Sequence, residues 1–161
     1  MSLLAQPLKL PNGVVLKNRI GKAPLTEGLA DEMNRATARH VSLYRRWAEG
    51  GAAVVVTGNV QVDRRYLERP GNVVIDGNGG MDELRAYARA GTANGTELWM
   101  QISHPGRQTP RRVCDHPVAP SAVPLALPAS AFAPPRAMTA EEVADVPRRF
   151  AHTAAVAREA G

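Results

Sequence analysis

Ala52-Ala53-Val54-Val55-Val56-Thr57 is an apolar run that does not alternate. A strand with one wet face alternates apolar and polar side chains. A strand without alternation has to be covered on both faces, as in a parallel sheet. The segments around it supply the cover. Thr37 is a fair N-cap for a helix over about residues 38–49, with Val41, Tyr44, Trp47 and Ala48 on one side at spacings of three and four. Gly50-Gly51 ends that helix, because glycine takes a left-handed cap position without a Cβ clash. Upstream, Asn18–Pro24 reads as a short strand stopped by its proline. Leu8–Lys17 reads as a hairpin with Asn12-Gly13 in a tight type I′ turn.

Downstream, residues 58–80 read as a loop and about 81–94 as a helix closed by Gly95. Glu97–Ser103 is the next strand. Residues 104–138 hold eight of the thirteen prolines and read as a long loop, which at that length is functional or disordered. The last helix opens with a capping box, Thr139 to Glu142, and continues with an apolar stripe of Val143, Val146, Phe150, Ala154 and Ala157. Pro147 is expected to kink that helix or delay its start.

The order is a hairpin at 8–17 followed by three βα units, about 18–50, 51–95 and 96–161, which makes the chain α/β with parallel strands. A closed eight-stranded βα barrel takes roughly 200 to over 400 residues. With 161 residues, the chain is either a small open α/β layer or the N-terminal portion of a (β/α)8 TIM barrel, and the pattern alone leaves both open.

Composition narrows the partners. At 44% hydrophobic and 22% charged residues, disorder is excluded. The charge is 20 − 15 = +5, but the basic residues are scattered and aromatics are 4%, so no nucleic acid is expected. Residues 116–135 lack Asp, Glu, Lys and Arg yet contain six prolines, so no membrane span is expected there. A single cysteine, Cys114, excludes an internal disulfide and a multi-cysteine metal site, and no metal is expected. Met1–Pro7 lacks the basic start of a secretory signal, so the expected location is cytoplasmic.

Ligands of parallel βα folds bind beyond the C-terminal ends of the strands. Three such ends qualify: Ala23-Pro24-Leu25-Thr26, Thr57-Gly58-Asn59, and Gln101-Ile102-Ser103-His104-Pro105-Gly106-Arg107. They offer a hydroxyl, a carboxamide, an imidazole, a guanidinium and exposed backbone, with no carboxylate pair and no Ser-His-Asp set. Gly77-Asn78-Gly79-Gly80 lacks the spacing of a phosphate loop. Such groups suit hydrogen bonding to a flat, neutral heterocycle better than acid–base chemistry.

Leu8–Ile20 running into Ala23-Pro24-Leu25-Thr26 resembles the opening of the Old Yellow Enzyme family, the FMN-dependent NAD(P)H:flavin oxidoreductases and ene-reductases. Gly50–Gly58, Gln101–Gln108 and Ala157–Gly161 extend the resemblance over the whole chain. It implies an incomplete FMN-binding TIM barrel over 1–161, with FMN at the C-terminal mouth. Thr26 matches a position beside flavin N5/O4. Ala23, Pro24 and Leu25 match the flavin edge, Gly58 a small residue packed near the ring, and Gln101 a carboxamide on the pyrimidine edge. His104 and Arg107 belong to the shared motif, and either ligand contact or structural pairing accounts for them.

The resemblance also implies NADH or NADPH as reductant and an enone or dienoyl-type alkene as substrate. Hydride moves from the nicotinamide through flavin N5 to the β-carbon. The family's substrate-holding His-x-x-His or His-x-x-Asn pair, its proton-donating tyrosine and its phosphate site are not located in residues 1–161, so no catalytic residue is assigned and the chain reads as an N-terminal fragment. A homo-oligomer is left open. The rival reading is a non-enzymatic α/β module that binds a partner through an exposed sheet edge.

Overall fold

In the computed structural model, which describes residues 2–128 and 130–161, the strands are β1 (Leu8–Lys9), β2 (Val15–Leu16), β3 (Gly21–Lys22), β4 (Val54–Gln61), β5 (Glu97–Ser103), β6 (Val118–Ala119) and β7 (Arg136–Ala137). The helices are α1 (Ala38–Glu49), α2 (Met81–Gly91) and α3 (Ala140–Ala160). The central sheet has the order β3-β4-β5, with both pairings parallel.

The valines of β4 divide between two apolar neighbourhoods, which is why the strand shows no alternation. Val55 and Val60 pack with Tyr44 of α1 and with Leu84 and Tyr87 of α2, joined by Leu98, Met100, Val156 and Ala160. Val54, with Val56 beside it, packs instead against Leu8, Leu10, Val14 and Leu16 of the hairpin. The hairpin therefore supplies the second cover that the run demands. Each valine removed from water contributes on the order of 1.5–3 kcal/mol.

The hairpin turn differs from the expected type I′. Leu8 pairs with Leu16 and Lys9 with Val15, and the Leu10 amide donates to the Val14 carbonyl at 2.8 Å. This leaves a three-residue Pro11-Asn12-Gly13 loop. Only Gly13 has a positive φ, +92°, whereas type I′ needs two such residues. Pro11 suits the first corner of this wider turn, and Asn12 Oδ1 accepts from the Val14 amide at 3.2 Å.

Helix α1 falls where its spacing places it. The Thr37 amide donates to Nδ1 of His40 at 3.1 Å, while the Thr37 hydroxyl donates to the Leu29 carbonyl at 2.9 Å. Gly51, at φ +96°, makes the left-handed exit. Helix α2 stops at Gly91 rather than near residue 94. A Cβ at Gly91 would lie 2.7 Å from Leu98 Cδ2, so this glycine brings the end of α2 tightly onto β5.

Strand β4 is longer than the expected 52–57 and runs through Gly58 to Gln61. Its register with β5 shifts between Val56 (opposite Trp99) and Asn59 (opposite Gln101), a one-residue bulge at Thr57-Gly58. The Thr57 hydroxyl accepts the Gln101 amide at 2.9 Å and donates to the Gly58 carbonyl at 2.8 Å, so the ladder survives the insertion.

The proline-rich segment has structure of its own. Strands β6 and β7 pair in parallel, and Arg107 donates to the Val123 carbonyl at 3.0 Å. Helix α3 runs unbroken through Pro147 from its capping box, in which Thr139 and Glu142 bond each other's amides at 2.9 and 3.2 Å. Its buried face takes in only part of the apolar stripe, with Val146, Phe150 and Ala157 half-buried and Val143 and Ala154 exposed. Val143 is 46% exposed, whereas Thr153 is buried with its hydroxyl on the Ile75 carbonyl at 2.9 Å, and Val156 and Ala160 meet the core. Arg149 faces the buried Asp63 carboxylate at 3.6 Å. Polar groups that find partners thus set the rotation of α3. No helix is long and apolar enough to cross a membrane, and no group of metal-ligating side chains occurs among the described residues.

Two histidines make the fold acid-sensitive. Burial holds His40 below its usual 6.5, with nearby Glu27 opposing and Arg39 assisting. Burial also lowers His104, against the pull of Asp63. An imidazole depressed in the folded state gives stability that is present above its unfolded value and is lost as pH falls through the folded value, because the unfolded chain binds the proton first. The urea midpoint is expected to be level above about pH 7 and to decline as the pH falls below about 6.5, less steeply in His40→Gln. A midpoint that stays constant through that fall contradicts the assignment.

Candidate functional site

The strand ends named from sequence do meet. By register, Trp99 and Gln101 of β5 lie on the same face as Val54 and Val56, the face away from the helices. The bulge brings Asn59 opposite Gln101, so the two carboxamides share that face; without the inserted residue Asn59 would point to the helices. Asn59 Nδ2 in turn donates to the Thr26 hydroxyl oxygen at 3.2 Å. Thr26, Asn59 and Gln101 therefore line one end of the sheet.

Gly58 is buried there for a reason visible in the chain itself. A Cβ on Gly58 would lie 2.5 Å from the Leu25 carbonyl oxygen and 2.8 Å from Thr26 Cα. The Leu25–Glu27 segment thus rests directly on the β4 bulge. It is held by Glu27, whose Oε1 accepts from the Tyr44 hydroxyl and from the Gly58 amide, the latter at 3.2 Å. The Gly58 amide also reaches the Tyr44 oxygen at 3.1 Å. Burial first, and then the bond to Glu27, pushes the Tyr44 phenol well above its usual range. Burial against Tyr44 does the same to Tyr87. Both phenols remain protonated, and Tyr44 acts as a donor.

Ala23, Pro24 and Leu25 are exposed beside this clamp, Leu25 by 66%. Among the described residues the amides of Leu25, Thr26 and Glu27 have no hydrogen-bond partner. The Gln101 carboxamide is half-buried and likewise without a partner among them. A free carboxamide offers both donor and acceptor, and free backbone amides offer donors. These are fittings for the polar edges of a planar heterocycle.

His104 and Arg107 are otherwise engaged. His104 Nδ1 accepts from the Gly106 amide at 3.0 Å, and its ring lies 5.3 Å from that of Tyr66. It faces a charged lock in which the buried Asp63 accepts from the Arg65 backbone amide and guanidinium, the shortest contact at 2.6 Å, and pairs with Arg149. Burial works to raise the Asp63 carboxyl, but Arg65 and Arg149 outweigh it and bring it below its usual value. With Arg107 spent on Val123, both residues have structural partners.

The site also holds carboxylates where the strand ends alone showed no pair. Glu27 follows Thr26 directly, and Glu68, paired with the Arg69 guanidinium, comes from the loop after β4. Glu68 borders a cavity of about 550 Å³ shared with Gln108, Arg112 and Phe132 of the proline-rich segment. Gln61 is buried with both carboxamide atoms unpartnered among the described residues. The bulge that carries Asn59 leaves no hydropathy signature. Glu68 lies in a loop whose path no local pattern specifies.

Gly58→Ala tests the clamp. If the glycine serves chain packing, the substitution costs about 1–3 kcal/mol of stability in ligand-free protein, since backbone atoms must give way. Chemical denaturation of the unliganded variant reads this directly, and an unchanged midpoint refutes the packing role.

Comparison with known proteins agrees with this architecture. The NADH:flavin oxidoreductase / NADH oxidase family matches residues 3–161. The NADH-dependent flavin oxidoreductase iliE of Hypocrea jecorina is 33% identical, over 96% of this chain and 43% of its own length. The NADH-dependent flavin oxidoreductase nadA of Aspergillus parasiticus is 38% identical, over 75% of this chain and 29% of its own length. The structure of an old yellow enzyme homologue from Zymomonas mobilis superposes with a TM-score of 0.82 at 24% identity, over 99% of this chain and 46% of that one. The chain thus spans less than half the length of these proteins, and its fold is the hairpin and first three βα units of their TIM barrel. It belongs to the NADH:flavin oxidoreductase / NADH oxidase family.

Proposed function

We propose that this chain holds the flavin ring of FMN against the open end of its sheet, as part of an oxidoreductase that uses NADH or NADPH to reduce an electron-poor alkene of the enone or dienoyl type. The observation that carries the reading is the half-buried Gln101 carboxamide, unpartnered among the described residues, on the same face as Thr26 and Asn59. A carboxamide open in this way offers a ligand both a donor and an acceptor. Family membership, and two relatives named as NADH-dependent flavin oxidoreductases, support the choice of a flavin.

Each residue then has a task. Gln101 donates to and accepts from the pyrimidine edge of the ring. The free amides from Leu25 to Glu27 supply donors along another edge, with Ala23, Pro24 and Leu25 giving apolar contact. Thr26 faces the reactive edge, oriented through Asn59. Gly58 keeps the Leu25–Glu27 segment seated, so that these donors do not drift. When bound, FMN supplies the two-electron hydride chemistry that no side chain provides. The residues of this chain position and polarise it; none is placed to donate a proton to substrate.

Titration of the purified protein with FMN, followed by flavin absorbance and fluorescence, tests the proposal. Binding is expected, and Gln101→Leu is expected to weaken it about tenfold or more, the effect of losing about 1–3 kcal/mol of satisfied polar contact. Failure to take up FMN overturns the reading. Equal affinity in Gln101→Leu removes Gln101 from the contact.

A further inference from the structure

The loop after β4 and the proline-rich segment enclose an open cavity of about 550 Å³ whose walls are pinned by their own backbone. One wall runs from Gln108 to Arg112. It starts at the buried Thr109, whose hydroxyl and amide both donate to the Gly106 carbonyl, at 2.8 and 3.0 Å. The Pro110 carbonyl then accepts from the Val113 and Cys114 amides at 2.8 and 3.1 Å, so Arg112 stands on a closed turn. The facing wall is tied to the first by the Arg111 amide, which donates to the Ala131 carbonyl at 2.9 Å. Next to Ala131, the half-buried Phe132 gives the cavity an apolar side. A space of this size between fixed walls suits a small organic molecule.

The charges in the walls are not equally satisfied. The Glu68 carboxylate is closed off by the Arg69 guanidinium through contacts of 2.9–3.1 Å. The Arg112 guanidinium has no hydrogen bond or ion pair among the described residues, and neither has the Gln108 carboxamide. Asp115, three residues beyond Arg112, faces Arg111 instead, at 3.7 Å. A cavity whose carboxylate is paired and whose guanidinium is open favours an anion. The planar fork of a guanidinium matches the two oxygens of a carboxylate.

The cavity and the open end of the sheet share a wall. The Arg69 amide donates to Asn72 Oδ1 at 2.8 Å, and Asn72 Nδ2 donates to the main-chain carbonyl of Asn59 at 3.2 Å. Asn59 is the residue whose side chain bonds Thr26. Gly71 in the same loop rests on the chain after Thr26, since a Cβ there would lie 2.8 Å from the Gly28 carbonyl oxygen. The loop that carries Glu68 is thus fixed to the strand end on one side and borders the cavity on the other.

We infer that this cavity receives the carboxylate of an acidic substrate, with Arg112 as its cation and Gln108 beside it. Arg112 then selects alkenes that carry an acid group away from the reacting double bond. The preference for an acid stands on the cavity alone; that the bound acid is the alkene to be reduced rests on the flavin reading above.

Two titrations keep these claims apart. The first needs no flavin. The purified protein is titrated by calorimetry with para-carboxybenzylideneacetone, an enone whose carboxylate is remote from its double bond, and with the methyl ester of the same compound. The acid is expected to bind about tenfold more tightly, as a charge-assisted contact gives. The gap is expected to close in Arg112→Gln and to narrow at high salt, which screens an exposed pair. Arg112 is exposed, so its substitution leaves the fold in place. Glu68→Gln takes a like charge from the wall and is expected to tighten the acid a further few-fold. No binding of the acid, equal affinity for acid and ester, or a gap that survives Arg112→Gln overturns the inference whether or not the protein binds FMN. The second titration adds the acid to FMN-loaded protein. Flavin absorbance is expected to change over the concentration range found by calorimetry. Bound acid that leaves the flavin spectrum untouched overturns the substrate role and leaves the flavin reading standing.

Discussion

The contact on which this structure turns joins Tyr44, Glu27 and Gly58. Tyr44 stands in the middle of α1, fully buried against Tyr87 and Trp47. Its hydroxyl needs a partner in that apolar setting, and the Glu27 carboxylate supplies one. Glu27 in turn needs donors, and it takes the Tyr44 hydroxyl together with the Gly58 amide. Three elements are thereby tied at one point: the helix, the segment after β3, and the bulge of β4. The absence of a Cβ at Gly58 lets the segment come close enough for the bonds to form. Whatever Thr26 does for a ligand, it does from a backbone held in this way.

Much of this could be read from the residues, and the failures share a cause. The buried valine run, the span of α1, the capping box of α3 and the parallel order all follow from short-range patterns of hydropathy and capping. The hairpin was legible, but its turn was not, because Asn-Gly is compatible with both a two-residue and a three-residue loop and Pro11 tips the choice. The bulge was invisible, since Thr57 replaces a backbone acceptor with its own hydroxyl and no local pattern records that. The stripe of α3 gives only part of its buried face, because hydropathy counts apolar side chains alone. The helix also turns Arg149 and Thr153 inward to meet Asp63 and the Ile75 carbonyl. Gly58 was expected to be small for a ligand, and its own chain already accounts for its size.

The bulge has a consequence beyond geometry. Side chains alternate along a strand, so one inserted residue exchanges the faces of everything after it. Before the bulge, Val54 and Val56 seal the hairpin side with hydrocarbon. After it, Asn59 occupies that side and bonds Thr26. The same strand is therefore a core strand in its first half and a polar wall in its second. An unbroken alternation with two apolar covers could not make that change.

The carboxylates Glu27, Glu68 and Asp63 are all committed to protein partners. Glu27 is taken by Tyr44 and Gly58, Glu68 by Arg69, and Asp63 by Arg65 and Arg149. Beside them, the amides after Pro24 and the carboxamide of Gln101 are neutral and unpartnered among the described residues. This division suits a ligand whose charge changes while it is bound. Neutral dipoles stabilise more than one state of such a ligand, whereas a free carboxylate in a partly desolvated site would penalise any state that gains negative charge. By pairing these carboxylates with protein donors, the fold leaves neutral groups, the amides after Pro24 and the Gln101 carboxamide, to meet a ligand.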